Sequence, residues 1–203
     1  MAKRVAILGG SFDPPHHGHI HVALAFQDLY KFDEVWIVPN YANPLKEAVA
    51  SASDRLDMTR LAFTGVPYCK VLDVEVLRKE PSFTVDTLEF LLETDPEFQS
   101  AERFLLIASG VARSFGSWKN IDRVIEIAKP VVAAGSPYKE IPGLSQKSAK
   151  AVEGGWTVFE GINLSSTLVR SWLFSKKYIS HLIPKEVEEY ITEHNLYKKE
   201  LQG

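Results

Sequence analysis

Short runs of apolar, often β-branched residues alternate along the chain with longer segments whose apolar residues recur at helical spacing. This alternation of strand, crossover helix and next strand predicts an α/β fold built on a doubly wound parallel sheet. The predicted strands are Arg4–Leu8, Glu34–Val38, Lys70–Val76, Phe104–Ala108, Pro130–Ala134 and Trp156–Phe159. The predicted helices between them cover about residues 18–31, 54–64, 84–94 and 119–128.

Two amphipathic helices are predicted near the end of the chain. One begins near Ser165, where Leu168 and Trp172 share its apolar face, and the other follows Pro184. Residues 135–155 lack this periodicity and are rich in Gly, Ser, Pro and Lys, so we expect a surface loop near the carboxyl edge of the sheet. We therefore expect one domain over residues 1–203, in which about residues 160–203 form a C-terminal helical subdomain packed on the sheet.

Composition limits what this fold can bind. The 203 residues carry 23 basic and 26 acidic side chains, which gives a net charge of −3, and 45% of the residues are apolar. A mildly acidic chain is not typical of general nucleic-acid binders or of anionic-membrane binders, because both rely on clustered Lys and Arg. We therefore expect no nucleic-acid or membrane partner, and any phosphate must be held by local geometry.

Cysteine content and the length of apolar runs bear on location. Cys69 is the only cysteine, which excludes an internal disulfide framework and a zinc site made of several cysteines. The apolar run Val5–Leu8 is too short for a signal peptide or a membrane span, and no later run is long enough. We expect a cytoplasmic protein, and the sequence leaves homo-oligomer formation open.

The first predicted strand continues into two glycines, Gly9 and Gly10, and then a histidine-rich turn that leads into a helix. Such glycines let a phosphate approach the backbone, and the helix N-terminus offers unpaired amides and the positive end of its dipole. The segment is neither a G-x-G-x-x-G loop nor a Walker loop, since it lacks the third glycine and the Gly-Lys-Ser/Thr ending. Four of the six histidines lie here, at positions 16, 17, 19 and 21.

Three roles are open for these histidines. Imidazole N–H groups can hydrogen-bond to phosphate oxygens and stabilise the charge that grows in a transition state, without acting as nucleophiles. Histidine is also a common metal ligand, although neither an HExxH pattern nor a cysteine partner accompanies this cluster. In the third reading, Asp13 and Pro14 form a turn and the histidines only cap the helix. The spacing favours phosphate binding.

This turn resembles a known signature. Its residues are similar to the motif of the HxGH nucleotidylyltransferases and, more narrowly, of the bacterial nicotinate-nucleotide adenylyltransferases: Gly9-Gly10-Ser11-Phe12-Asp13-Pro14, then His16-x-Gly18-His19. The resemblance implies a Rossmann-like nucleotidylyltransferase fold and transfer of the adenylyl group of ATP to nicotinate mononucleotide, with release of pyrophosphate. It also implies that His16 and His19 are catalytic and that ATP is contacted by Gly9, Gly10, Ser11 and Phe12.

A second segment near the C-terminus has two interpretations. Ser165-Ser166-Thr167-x-x-Arg170 is either an ordinary capped helix or an anion clamp made of amides, hydroxyls and a guanidinium. It resembles the family's second motif, which holds the triphosphate, and this implies that ATP is bound by Ser165, Ser166, Thr167 and Arg170. We expect Mg²⁺ to accompany the ATP phosphates, bound mainly by substrate oxygens and water, and no metal site on the protein itself. This would explain why the sequence shows no carboxylate cage.

Three further resemblances concern the phosphate acceptor. Pro81-Ser82-Phe83-Thr84 is similar to the family segment whose backbone amides hold the nicotinate carboxylate, and it can equally be a loop that caps the next helix. Trp118 matches the family tryptophan that stacks on the pyridine ring, although aromatic residues more often belong to a core. Lys46 matches a substrate-contacting lysine, or is a solvated side chain.

Three departures from the family pattern leave alternatives open. The family usually has Gly-Ala-Asp, a His and Arg-Pro-Gly where this chain has Ala108-Ser109-Gly110, Leu45 and Gly135-Ser136-Pro137. Each loses a polar contact, typically worth ~1–3 kcal/mol, unless neighbours such as Arg113 and Lys139 compensate. The alternatives are an adenylyltransferase for nicotinamide mononucleotide or phosphopantetheine, a catalytically weakened nucleotide-binding homologue, and a metal-dependent hydrolase built on the histidines.

Overall fold

The computed structural model describes residues 2–198, and within them six parallel strands form one sheet. The strands are β1 (Arg4–Gly10), β2 (Glu34–Pro39), β3 (Cys69–Val71), β4 (Glu102–Ala108), β5 (Lys129–Ala134) and β6 (Trp156–Val158). Their order is β3-β2-β1-β4-β5-β6, so the chain winds outward from β1 in both directions. In sheets of this kind ligands bind at the carboxyl ends of the strands where the winding reverses, which here is between β1 and β4. The predicted doubly wound α/β fold is confirmed.

Helices cover both faces of this sheet. Within the described range they are α1 (His17–Tyr30), α2 (Ala52–Phe63), α3 (Val74–Arg78), α4 (Thr84–Thr94), α5 (Pro96–Ser100), α6 (Ser109–Ala112), α7 (Ile121–Ile127), α8 (Gln146–Gly154), α9 (Ser166–Phe174) and α10 (Lys185–Glu193). A 3₁₀ turn, Phe115–Ser117, follows α6. None of the helices in residues 2–198 combines the length and the apolar character that a bilayer crossing needs.

The alternation of side chains along β1 divides the core into two halves. Val5 and Ile7 pack on the face covered by α4, α5, α7 and α8, whereas Ala6 and Leu8 pack on the opposite face with α1 and α2. A strand that is buried on both faces is apolar at every position, which is why β1 was predictable. The C-terminal helices α9 and α10 add apolar side chains, such as that of Val169, to the second half.

Two predictions about secondary structure are wrong. The predicted strand Lys70–Val76 ends at Val71, because the following residues form α3. Its valines suggest a strand, but Glu75 is buried and accepts a hydrogen bond from the Thr87 hydroxyl at 2.7 Å, which ties this turn to α4. The predicted loop 135–155 contains α8. That helix is nine residues long, is polar overall and buries only Ser148 and Val152, so few apolar residues mark it in the sequence.

Candidate active site

The loop between β1 and α1, residues 11–16, is called the phosphate loop below. It follows Gly9, where an added Cβ would meet nothing within 4 Å, and Gly10, where a Cβ would lie 3.2 Å from the Phe12 ring. Phe12 has a left-handed backbone (φ 47°) and a buried side chain, whose ring meets the His19 ring at 4.8 Å and 63°. The Phe12 ring therefore supports the loop from below, and only its backbone is left to face a ligand.

His16 and His19 form a stacked pair, with ring centroids 3.7 Å apart and planes at 17°. The backbone N–H of His16 donates to Nδ1 of His19 at 3.2 Å. In a neutral imidazole whose Nδ1 accepts, the proton is on Nε2, so His19 carries an Nε2–H donor. Burial lowers the pKa of His16 to about 4, and burial, followed by repulsion from His16, lowers the pKa of His19 well below 6.5. Both rings are therefore neutral near pH 7.

Gly18 is required by the position of the His16 ring. A Cβ at Gly18 would lie 3.0 Å from Nδ1 and 3.1 Å from Cε1 of His16, which is tighter than ordinary van der Waals contact. That Nδ1 is buried and has no hydrogen-bond partner among the described residues. The glycine of the His-x-Gly-His motif thus makes room for the stacked ring.

The other two histidines of the turn have different surroundings. The ring of His21 stacks on Phe159, with centroids 5.2 Å apart, and Phe159 packs against the half of the core that contains α1 and α2. The backbone N–H of His17 donates to the carbonyl of Leu182 at 3.0 Å, which fixes the start of α1. Of the four clustered histidines, the structure brings two together as a pair.

The two phosphate-facing segments of the sequence meet in space. The Ser166 hydroxyl, in the first turn of α9, donates to the carbonyl of Pro14 at 2.8 Å. Nη1 of Arg170 donates to the carbonyl of Asp13 at 2.5 Å. The N-termini of α1 and α9 therefore flank the phosphate loop. In α9 the N–H groups of Ser166 and Thr167 have no partner within the helix, whereas in α1 those of His17 and His19 already donate to the carbonyls of Leu182 and His16.

The α9 hydroxyls already have partners in the protein. Ser165 is the N-cap, and its side-chain oxygen accepts from the backbone N–H of Leu168 at 3.2 Å. Nη2 of Arg170 lies 3.4 Å from the Thr167 hydroxyl. These contacts orient the guanidinium and the helix end. In both of them the hydroxyl oxygen accepts, so the hydroxyl protons of Ser165 and Thr167 remain available to an anion together with the amides and the guanidinium.

Asp13 joins the phosphate loop to distant parts of the chain. Its buried carboxylate accepts from the backbone N–H groups of Val49 at 2.7 Å and Ala50 at 3.0 Å, and from the Tyr197 hydroxyl at 2.7 Å. It also lies 3.6 Å from Nη1 of Arg170. Burial and the neighbouring Asp13 charge raise the pKa of Tyr197. Sequence reasoning placed Asp13 in a simple turn and missed this role, because its partners lie far away along the chain.

The expected acceptor residues lie around the start of α4. Thr84 is the first residue of that helix and Phe83 precedes it, so the amides of Phe83 and Thr84 lie ahead of the first intrahelical bonds, which the N–H groups of Asp86 and Thr87 donate to the Phe83 carbonyl. Nζ of Lys119 lies 4.7 Å from the Phe83 ring centroid and 2.9 Å from both carboxylate oxygens of Asp86. Lys119 adjoins half-buried Trp118, so the structure brings the Phe83–Thr84 pair and the Trp118 segment together.

Lys46 lies on the loop of residues 41–50, between the phosphate loop and the acceptor segment around Phe83 and Thr84. At its start, the N–H of Tyr41 donates to the Ser82 hydroxyl at 3.0 Å, and the N–H of Ser82 donates to the carbonyl of Ala42 at 2.8 Å. The end of the loop is held by the N–H groups of Val49 and Ala50, which donate to the Asp13 carboxylate. Loop 41–50 is thus fastened to both the phosphate loop and the acceptor segment, while the Lys46 side chain is exposed.

A cavity of about 680 Å³ opens near the carboxyl end of β5, beside Gly135. Arg113 and Lys139 line it, and within residues 2–198 neither lies in an ion pair with a carboxylate. The wall is built closely, because a Cβ at Gly116 would lie 1.9 Å from the carbonyl oxygen of Pro142. The family has an arginine where this chain has Gly135, and Arg113 and Lys139 are the two cations that could compensate for it. Both line the same cavity.

The chain is similar to known proteins. A family model described as cytidylyltransferase-like matches residues 7–171, which include both phosphate-facing segments. A Shouchella clausii protein named "Probable nicotinate-nucleotide adenylyltransferase" is 36% identical over 197 residues, which cover 96% of this chain and 97% of that relative. The chain belongs to the nicotinate-nucleotide adenylyltransferase family. The family membership predicted from the sequence motifs is confirmed.

Two more comparisons support membership of the nicotinate-nucleotide adenylyltransferase family and its fold. A Halalkalibacterium halodurans protein of the same name is 36% identical over 205 residues, covering 97% of this chain and 92% of that relative. Plasmodium falciparum nicotinic acid mononucleotide adenylyltransferase, solved in complex with NaAD, superimposes with a TM-score of 0.75 at 20% identity, over 96% of this chain and 97% of that chain. At this identity the structural likeness concerns the fold.

Proposed function

We propose that this protein transfers the adenylyl group of ATP to nicotinate mononucleotide, giving deamido-NAD and pyrophosphate. The observation that carries the proposal is the meeting of the α1 and α9 N-termini at the phosphate loop, through Ser166 with Pro14 and Arg170 with Asp13. The positive dipole ends of two helices, the amides of α9 and a guanidinium around one loop suit a triphosphate. Family membership supports the reaction and the acceptor.

The proposed reaction needs no covalent intermediate. A phosphate oxygen of the acceptor forms a bond to the α-phosphorus of ATP, while the bond from that phosphorus to the oxygen bridging to the β-phosphate breaks. The electron pair of the broken bond leaves with pyrophosphate. Catalysis then consists of aligning two anions and stabilising the charge on the transferring phosphate.

In this proposal the histidine pair acts on the transferring phosphate. Nε2–H of His19 donates to a non-bridging oxygen, and the stacked His16 ring holds that imidazole in place. Because both rings are neutral and Nδ1 of His19 is occupied, the donor is fixed before substrate arrives, and such preorganised donors need no reorganisation during reaction. The open backbone at Gly9 and Gly10, the Ser11 hydroxyl and the Phe12 amide complete the ATP-facing surface.

The α9 side of the site would hold the remaining phosphates. We assign their contacts to the first-turn amides of α9 and to the guanidinium of Arg170, whose orientation is set by Asp13 and Thr167. In this assignment Ser165 and Ser166 keep the helix end in position through their own hydrogen bonds.

The acceptor would be recognised by its carboxylate and its ring. Amides at Phe83 and Thr84, at the start of α4, donate to a nicotinate carboxylate, and Trp118 stacks on the pyridine ring. The amide nitrogen of a nicotinamide would bring its own N–H groups against these donors, so the same site disfavours the amide. Lys46, on loop 41–50, would contact the charged part of the acceptor.

The donor set at this site fits a metal that arrives with the substrate. The phosphate-facing groups are N–H and O–H donors and a guanidinium, and the Asp13 carboxylate is already fully bonded. Within residues 2–198 no cluster of three His, Cys, Asp or Glu side chains could hold an ion. Mg²⁺ bound to ATP oxygens and water would neutralise phosphate charge.

Pyrophosphate release with ATP, Mg²⁺ and a panel of acceptors tests the proposal. The panel contains nicotinate mononucleotide, nicotinamide mononucleotide and phosphopantetheine. We expect rapid release with the nicotinate compound and a kcat/KM at least about tenfold lower with the amide. Faster release with the amide or with phosphopantetheine would contradict the acceptor assignment, and release with none would favour a weakened nucleotide binder.

We also propose a cytoplasmic location, as the single cysteine Cys69 suggests.

A further inference from the structure

Arg55, on α2, is the most deeply buried cation of the site, with 1% of its surface exposed. Its Nη1 donates to the carbonyl of Ser11 at 2.8 Å, on the phosphate loop. Its Nη2 donates to the carbonyl of Tyr41 at 2.7 Å, and its Nε donates to the carbonyl of Ala50 at 3.2 Å. One guanidinium thus holds the phosphate loop and both ends of loop 41–50.

The same guanidinium fixes which way the Asn40 side chain points. Nη1 of Arg55 lies 2.8 Å from the Asn40 carbonyl oxygen and 3.0 Å from its Oδ1. Since a guanidinium can only donate, the side-chain atom that faces it must be the amide oxygen. The amide nitrogen then faces the other way, and Nδ2 of Asn40 donates to the Ser11 hydroxyl oxygen at 3.1 Å.

This contact determines whether the Ser11 hydroxyl can donate or accept a hydrogen bond toward a ligand. Because its oxygen accepts from Nδ2 of Asn40, its own proton is left for another acceptor. Within residues 2–198 that proton has no partner, and the Ser11 side chain is partly exposed between Gly10 and Phe12. The hydroxyl is therefore set up as a donor at the surface that we assign to ATP.

We propose that Asn40 and Arg55 are positioning residues that fix the Ser11 hydroxyl as a hydrogen-bond donor to a phosphate oxygen of ATP. The inference rests on the proposed function in one respect, namely that ATP is the ligand of the phosphate loop. If residue 40 presented an acceptor to Ser11 instead, the hydroxyl proton would turn toward it and a lone pair would face the phosphate. The chain of donors from Arg55 to Asn40 to Ser11 prevents that reversal.

The test is a double-mutant cycle on Asn40 and Ser11. Asn40→Asp keeps the size of the side chain and the oxygen that faces Arg55, but it replaces the donor that faces Ser11 with an acceptor. Ser11→Ala removes the hydroxyl. The dissociation constant of Mg-ATP is measured by titration calorimetry for the wild type, both single variants and the double variant, and kcat is measured with nicotinate mononucleotide.

We expect Asn40→Asp to weaken ATP binding or lower kcat by about tenfold or more when Ser11 is present, as the loss of one charge-assisted hydrogen bond does. In the Ser11→Ala background the same change is expected to cost no more than about twofold, which measures the added negative charge alone. Ser11→Thr, which keeps a hydroxyl, is expected to restore the large effect. Equal costs in both backgrounds, or no cost in either, would overturn the proposal.

Two controls separate the possible failures. Melting temperatures of all variants show whether they fold, and Ser11→Thr with Asn40→Asp supplies a second route if Ser11→Ala is unstable. A wild type that binds ATP but releases no pyrophosphate with nicotinate mononucleotide contradicts the proposed function, while the calorimetric cycle still decides the role of Asn40. A wild type that binds no ATP overturns both.

Discussion

The ATP-facing and acceptor-facing parts of the site are built in different ways. On the ATP side, Asp13, His16 and Arg55 are at most 4% exposed, and direct hydrogen bonds connect Asp13 and Arg55 to three or more segments. On the acceptor side, Lys46 is exposed and Trp118 is only half-buried. The first part is a buried network, and the second is a set of side chains on connecting segments.

This difference assigns chemistry and selectivity to separate regions. A buried network tolerates little change, because removing one partner leaves another buried polar group unpaired. Residues on surface segments can change without unfolding the protein. Two of the three departures from the family pattern lie outside the buried network, since Leu45 is 69% exposed and Gly135 lies at the cavity near β5. The third, Ala108-Ser109-Gly110, lies at the carboxyl end of β4.

The contrast between the ATP-facing and acceptor-facing parts of the site is tested most strongly by removing the His19 donor. His19→Asn keeps an oxygen that can accept from the His16 backbone N–H, as Nδ1 does, but it lacks the Nε2–H group. We expect kcat to fall about 10²–10³-fold, the usual cost of losing one preorganised donor to a transition-state oxygen. His19→Ala is expected to lose at least as much. Steady-state pyrophosphate release measures the effect.

The matched control is His21→Asn, on the same helix. The His21 ring stacks on Phe159 away from the paired imidazoles, so we expect kcat within about twofold of the wild type. If His19→Asn also retained full turnover, the phosphate chemistry would have to lie elsewhere, and the contrast between the two parts of the site would be lost.

A second prediction concerns the stability of the ATP side in acid. Burial holds the pKa of His16 at about 4, below its usual 6.5, so the unfolded chain binds more protons than the folded one between these values. The stability from this neutral ring is complete above pH 6.5 and is lost as the pH falls toward 4, by about 3 kcal/mol in total.

Urea unfolding between pH 4 and pH 7.5 measures this loss. His16→Asn should flatten the slope of unfolding free energy against pH relative to the wild type. Identical slopes for the wild type and His16→Asn would show that the His16 ring is freely protonated in the folded protein, which a buried network does not allow.

Local patterns were enough to predict part of this molecule. The strands, the helices with strong periodicity and the His16–His19 and Ser165–Arg170 segments are each contiguous in sequence, so spacing reveals them. The contacts of Asp13 were not predictable, because its partners Ala50 and Tyr197 come together only in the folded chain. A signal for Asn40 did exist, since it directly follows β2 at the carboxyl edge of the sheet.

The departures and the short elements show a second limit. Arg113 and Lys139 are near Gly135 in space, but sequence alone could only name them as candidates. Helix α8 is polar on most positions, so its stability comes from the Ser145 cap, which accepts from the Ser148 N–H at 3.2 Å, and from burial of Val152. Tertiary contacts, which periodicity does not report, decide such elements.

The smallest of these effects is expected for Trp118, on the acceptor-facing part of the site. Trp118→Ala removes one stacking surface, which is worth about 0.5–1.5 kcal/mol, so KM for nicotinate mononucleotide should rise about two- to tenfold. KM for ATP should change little, because Trp118 has no contact with the buried network around Asp13 among the contacts of the described residues. The melting temperature should fall, because the Trp118 ring packs edge to face on Phe115 and against the core. Trp118→Phe, which retains a ring, should recover most of the loss. A fall in kcat as large as that of His19→Asn would instead mean that acceptor and ATP contacts form one cooperative unit, because a residue that only stacks on the acceptor ring cannot stabilise the transferring phosphate.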